Sequence, residues 1–353
     1  MLSSDYIVHL IAILIFLGVS ATFYWPHLEG KQVRQSDLIQ YQGMTQEVLE
    51  FEEKIGRRPL WTNSMFGGMP TYQINPPDRG NYLNWVNQVL QLGSENPIGI
   101  MFTGMIGFYI LLFALRVDWW IAIIGSIAFG LSTYNIILFE SGHITKLKAI
   151  SFLPLLTAGL ILAYRGRIWW GFFLFGLGFG LNLMANHVQM TYYFFLTVPI
   201  FLGATLINAL RESNISTYLK ATGAIGLAVI LALCSSLSNL WPTYEYSKET
   251  IRGNIILDER SDQFHDTITR TPAKSGLEWD FAMEWSNGMI DLLTCYIPGA
   301  AGSSSQARLF SDTKLYQELA DQSVQHIDSY KAPMYWGNLP FTNGPPYFGA
   351  VIL

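Results

Sequence analysis

Asp37 is the first residue whose type and position suit catalysis. It stands in "GKQVRQSDLIQYQGM" (Gly30 to Met44), about a dozen residues beyond the apolar run "YIVHLIAILIFLGVSATFYW". Its neighbours Gln35, Gln40, Tyr41 and Gln42 are neutral residues able to hydrogen-bond, not a run of charges. A carboxylate so placed can act as a general base at a membrane surface. It can equally, with Ser36, cap the helix that follows. A second group is "ESGHITKLK", with Glu140, His143, Lys146 and Lys148. His143 and Lys146 are three apart and share a face if helical. Such cations stabilise the charge that develops on a departing phosphate; they also suit a loop that only anchors at the interface. Both pairs of readings stay open at this level.

Asn186, His187 and Gln189 form a third group in "NHVQM". His187 with His143 would offer two nitrogens to a divalent metal, but no HxH, HxxxH or carboxylate pairing completes a ligand set. A divalent metal therefore stays open as a cofactor, and nothing in the spacing calls for one. "PLWTNSMFGGMPTYQINPP" is rich in turn formers and aromatics, the composition of a pocket-lining loop, with Trp61, Asn63 and Tyr72 as candidates. Tyr244, Glu245 and Lys248 follow the end of an apolar run in "NLWPTYEYSKETIRG"; there Pro242 reads as a helix starter. GxSxG, Walker A and GxGxxG motifs are absent.

The elements that must position these residues are membrane helices. The chain has 353 residues and is 50% hydrophobic but only 13% charged, against roughly 25% charged for a soluble domain. The net charge of −5 provides no basic footprint for nucleic acid. Cys234 lies in an apolar run and Cys295 in a polar one, which argues against a disulfide framework or a cysteine zinc site. A spanning helix needs roughly 20 mostly apolar residues. Seven complete spans are expected, at Tyr6–Trp25, Pro97–Leu115, Trp119–Phe139, Leu147–Tyr164, Ile168–Ala185, Met190–Leu210 and Tyr218–Leu240. The first resembles a signal peptide in its "VSA", but its apolar run is long and "MLSSD" has no basic residue, so an uncleaved span is expected. "DLIQYQGMTQEVLEFEEKIGRRP" places Leu38, Tyr41, Met44, Val48, Leu49 and Phe51 at near-helical spacing, ending at Gly56 and Pro59, as in an interfacial helix. "NYLNWVNQVLQL" reads as a second, shorter one.

The organisation expected is a first transmembrane helix (1–25), a first extracytoplasmic loop (26–96), a six-helix transmembrane bundle (97–241), a second extracytoplasmic segment (242–340) and the start of a further span (341–353), which reads as cut short. Five basic residues (Arg116, Arg165, Arg167, Arg211 and Lys220) fall on one side under strict alternation, against Lys146 and Lys148 on the other. The positive-inside rule then puts the N-terminus in the cytoplasm and both long polar segments outside.

"SDLIQYQGM", "PLWTNSMFGGMPTY", "SGHITKLKAISFLPL", "NLWPTYEYSKETIRG" and "APMYWGNLPFTNGPPYFGA" together resemble the YfhO family of bacterial membrane proteins, in a Bacteroidetes-like version, and the likeness runs over essentially the whole chain. The wider layout is similar to that of GT-C glycosyltransferases. The resemblance implies an all-α polytopic membrane protein, a GT-C-like bundle with large extracytoplasmic loops carrying interfacial helices, in the bacterial inner membrane. It implies transfer of a sugar from a polyprenyl-phosphate donor to an envelope glycan, lipid or protein acceptor. The GT-C acidic residue of the first outer loop maps onto Asp37; the paired acidic motif of some branches is missing, since "QSDLIQ" holds one acid. In this frame His143 and Lys146 bind the donor phosphate, and Trp61, Asn63, Tyr72, His187, Tyr244 and Glu245 line the substrate pocket. The alternatives are a transporter or flippase of lipid-linked glycans and a non-catalytic scaffold for envelope assembly; mid-span ionisable residues, which transport pathways use, are scarce.

Overall fold

The computed structural model of the chain describes residues 4–74, 81–93, 96–250, 279–322, 324, 326–327 and 330–348. The elements run α1 (Ser4–Phe23), α2 (Trp25–Leu28), α3 (Ser36–Ile55), β1 (Trp61–Thr62), β2 (Met69–Pro70), α4 (Leu83–Leu90), α5 (Pro97–Ala114), α6 (Trp119–Gly130), α7 (Thr133–Ser141), α8 (Ile144–Tyr164), α9 (Ile168–Met184), α10 (Val188–Arg211), α11 (Ile215–Ser235) and α12 (Leu237–Ser247). After them come α13 (Trp279–Met283), α14 (Met289–Thr294), β3 (Ala307–Arg308), α15 (Lys314–Asp321) and β4 (Lys331–Ala332). The chain is an all-α, multi-pass membrane protein whose described strands are two short antiparallel pairs.

Among the described residues six helical stretches are long and apolar enough to cross a bilayer: Tyr6–Phe23, Pro97–Ala114, Trp119–Ser141, Ile144–Tyr164, Val188–Arg211 and Ile215–Ser235. The expectation of seven complete spans is thereby modified. The seventh, α9, has 17 residues and rises only about 25 Å, against a hydrocarbon core of about 30 Å. The run Trp119–Phe139 is interrupted at Leu131–Ser132, between α6 and α7. The run Tyr218–Leu240 divides into α11 and α12 at Ser236, and Pro242 lies inside α12 rather than starting it. Residues 341–348 of the expected further span are not helical; 349–353 lie outside the described residues, as does 251–278, which holds the end of "YEYSKETIRG".

The chain divides into two units. The first comprises 1–131 and 138–240, the second 132–137 and 241–353. In the first, glycines bring α8 and α9 into contact. A Cβ on Gly159 would stand 2.3 Å from the Phe175 nitrogen, one on Gly171 2.5 Å from the Ala163 Cβ, and one on Gly178 3.0 Å from Leu156. Small residues allow such backbone approach, which drives helix association where lipid is as apolar as the side chains. The partners rise along one helix as they fall along the other, so α8 and α9 are antiparallel. Asn182, fully buried in α9, donates to the Ala149 carbonyl of α8 at 2.9 Å and accepts the Thr191 hydroxyl of α10 at 2.6 Å. The beginnings of α8 and α10 thus share one end of the bundle.

α5 runs beside α8, with Gly107 against the Ser151 carbonyl and Arg165 donating to the Ala114 carbonyl at 2.7 Å. α1 crosses α5 through His9 on Tyr109 and Phe16 on the same ring. Outward faces are apolar: Tyr192, Leu196, Ile200 and Leu210 of α10 are all more than half exposed, which suits contact with lipid. The second expected interfacial helix, α4, is docked on the bundle. Leu83, Val86 and Leu90 pack on its core, where Gly180 leaves room for Leu83, while Trp85 and Val89 point away.

The second unit is held by Asp291, a buried carboxylate at the start of α14. It accepts the Gly288 N–H at 2.9 Å, the Tyr335 hydroxyl at 2.6 Å and the Asn338 N–H at 3.1 Å. Burial raises its pKa, but the Tyr335 hydroxyl and the two backbone donors outweigh burial, and the carboxyl lies below its ordinary value.

Candidate functional site

α3 begins at Ser36, with Gln35 in extended backbone at the N-cap position and no side-chain cap bond. This corrects the expectation that Ser36 and Asp37 cap the helix. Asp37 lies instead in the first turn, and its Oδ2 accepts a hydrogen bond from His143 Nε2 at 2.9 Å. A carboxylate only accepts, so that nitrogen carries the proton. Both side chains are about half exposed. The Ser36 hydroxyl reaches the other carboxylate oxygen at 3.4 Å.

Two further contacts seat α3 on the turn between α7 and α8. The buried Gln35 side chain donates to the Phe139 carbonyl. Gly142 has φ +89°, and a Cβ there would lie 3.2 Å from the Cβ atoms of Gln35 and Asp37 and from the Leu38 nitrogen. Only glycine combines that backbone with that approach. The turn is shorter than "ESGHITKLK" suggests: Glu140 is in α7, His143 is the N-cap residue of α8, and Lys146 and Lys148 belong to α8 itself. The first turn of α8 holds no acidic residue. Its positive dipole end, His143 and Lys146 make this the anion-attracting corner of the bundle.

His187 precedes α10 at the same end. Burial lowers its pKa, and the positive charges of Lys146 and His143 lower it further. These causes favour the neutral imidazole, which is within electrostatic reach of both. Its Nδ1 is buried and without a hydrogen-bond partner among the described residues, as are Ser236 Oγ and Asn239 Oδ1. Asn239 Nδ2 donates to Asn186 Oδ1 at 2.9 Å, which ties the start of α12 to the turn that carries His187. Asn186 holds the turn at φ +55°, a conformation that Asn tolerates better than most residues.

The pocket-loop candidates are placed by α3 as well. Glu47, about three turns beyond Asp37, accepts the Thr62 hydroxyl at 2.5 Å and the Ser64 hydroxyl, fixing the β1–β2 hairpin. The Ser64 and Thr62 hydroxyls hold the Glu47 carboxyl below the usual carboxylate range. Trp61 covers Gly68, Asn63 is exposed, and Tyr72 is half-buried beyond β2. Among the described residues no hydrogen bond joins these three to Asp37 or His143. Tyr244 and Glu245 are in the second unit and are engaged locally: Lys248 binds Glu245 at 2.8 Å and lies 4.7 Å from the Tyr244 ring centre.

The structure therefore brings together Asp37, His143, Lys146 and His187. Gln35 and Gly142, which seat the carboxylate, and Asn239, bonded to Asn186 next to His187 in the chain, have no role legible in the sequence. Among the described residues no group of three His, Cys, Asp or Glu side chains is arranged to hold a metal ion. No family model, no curated protein and no solved structure matches the chain.

Proposed function

We propose that the chain is a membrane glycosyltransferase that takes its sugar from a polyprenyl-phosphate donor at the outer face of the bacterial inner membrane. The observation that supports this reading most is the 2.9 Å contact between Asp37 and His143, which puts the candidate base of the first loop against the candidate phosphate ligands at the start of α8. In the reaction, an acceptor hydroxyl attacks the anomeric carbon and its proton passes to the Asp37 carboxylate. The bond from that carbon to the phosphate oxygen breaks, and its electron pair leaves with the lipid phosphate. His143, Lys146 and the dipole of α8 stabilise the charge so released. The acceptor is an envelope glycan, lipid or protein. The β1–β2 loop, fixed to α3 by Glu47, presents Trp61 and Asn63 to the sugar, with Tyr72 beyond it.

Deleting the gene should deplete one surface glycan and raise the pool of one lipid-linked sugar, both read by mass spectrometry of envelope extracts. A glycan and lipid profile identical to wild type would sink the transferase reading. Lys146→Ala should raise the donor concentration needed for half-maximal transfer by about tenfold, on the scale of one charged hydrogen bond. Unchanged donor dependence at normal expression would return the residue to interface anchoring.

The same reading requires the α3 end of the bundle to face outward. A cysteine placed at Ser304 should react with an impermeant thiol reagent in intact spheroplasts, and one at Ser213, in the α10–α11 turn, should react only after lysis. Labelling of Ser213→Cys in intact spheroplasts would reverse the orientation and remove the outer-face donor.

A further inference from the structure

The Asp37 carboxylate occupies the place that the donor phosphate needs. It is the anion found at the positive start of α8, bound to the Nε2 of His143, with Lys146 one turn further on. While His143 holds it at 2.9 Å, Oδ2 is not open to an acceptor hydroxyl. We propose that the site is self-occupied at rest: the donor phosphate takes His143 from Asp37, and only then is Oδ2 bared to an acceptor hydroxyl. Donor binding thus precedes acceptor activation. The proposal rests on the transferase reading for the identity of the phosphate, and on the geometry for the competition.

Three features make the exchange feasible. The Asp37 and His143 side chains are about half exposed, so solvent and a headgroup reach both. Exposed pairs of this kind are weak enough for a second anion to displace. And α3 does not depend on the pair for its position, since Gln35 and the close approach at Gly142 hold its start independently. Losing the His143 contact therefore frees the carboxylate without moving the helix. The arrangement also has a consequence for fidelity. Without donor in place, Oδ2 is held by His143, and with donor in place the phosphate holds His143 and keeps Oδ2 available.

Competition makes an unusual forecast. Removing the carboxylate charge should tighten phosphate binding while it abolishes transfer. Binding of farnesyl phosphate, and separately of inorganic phosphate, is measured by calorimetry on the full chain in nanodiscs for wild type, Asp37→Asn, His143→Gln and the control Ser36→Ala. Asp37→Asn should bind farnesyl phosphate about two- to fivefold tighter, the range set by an exposed ion pair. His143→Gln should bind it more weakly than wild type, and Ser36→Ala equally. Tightening with inorganic phosphate as well shows that the headgroup alone competes; tightening with farnesyl phosphate alone shows that the lipid tail is needed to bring it there. Equal or weaker farnesyl phosphate binding in Asp37→Asn overturns the proposal. Transfer is assayed on the same preparations: tighter binding together with wild-type transfer in Asp37→Asn would retain the competition and reject Asp37 as the base.

Discussion

Asp37→Asn is expected to accumulate in the membrane at wild-type level and to transfer sugar about 10²–10⁴-fold more slowly, the usual cost of removing a general base. The substitution keeps the size of the side chain and its ability to accept the His143 Nε2–H, so the 2.9 Å contact can persist. Folding should hardly register the change, because an exposed pair contributes about 0–1 kcal/mol and α3 has no side-chain cap to lose. The measurement is the initial transfer rate at saturating donor, normalised to protein recovered from membranes. Ser36→Ala is the companion variant. It removes the weak 3.4 Å contact to the same carboxylate and should transfer at nearly wild-type rate. Near wild-type transfer by Asp37→Asn would send the search for a base to Glu29, Glu47, Glu140 or Glu245, or end the transferase reading.

Gly142→Ala should lower transfer strongly at a residue without chemistry of its own. The added Cβ meets Gln35, Asp37 and the Leu38 backbone at 3.2 Å, and the backbone is left-handed at φ +89°. The conformation alone costs about 1–2 kcal/mol for a residue with a Cβ. The crowding falls on the start of α3, so the carboxylate must shift relative to His143. A displacement of about 1 Å at a reacting group lowers rates about 10²-fold. Gly166→Ala separates the two effects. It has φ +84° and nothing within 4 Å of the added atom, so it carries the backbone strain without the collision. Both variants should lose the stability that the backbone strain costs, Gly142→Ala somewhat more, and only Gly142→Ala should lose transfer. Equal transfer by the two would mean that the seating of α3 does not govern the site.

The residues of the candidate site were visible one by one in the amino-acid sequence, and so was their membrane setting. Long apolar runs separated by short polar turns leave a helix as the one way to satisfy the backbone in lipid, and α1, α5, α8, α10 and α11 fall close to where composition puts them. Asp37, His143, Lys146 and His187 stand out because ionisable side chains at the ends of such runs are few. The end of α3 was equally local, since Gly56 supplies the left-handed C-cap residue.

What no local rule could supply was which ends meet. Gln35 and Phe139 are 104 positions apart, and their contact depends on how α1, α5, α7 and α8 pack. That packing is set by backbone approach at glycines, and an apolar run does not reveal which of its glycines face a partner. The cap assigned to Ser36 and Asp37 failed for a related reason. A Ser-Asp pair ahead of a helix usually turns to its own backbone, but the turn carrying His143 offered the carboxylate a side-chain donor from another element. The bond between Asn186 and Asn239 was hidden in the same way, because it joins the α9–α10 turn to the start of α12. Sequence determined the solvent, the helices and the chemical candidates, since these follow from side-chain polarity and local backbone preference. Tertiary structure alone decided that Asp37 faces His143, because only close packing of distant helices brings their side chains within hydrogen-bonding distance.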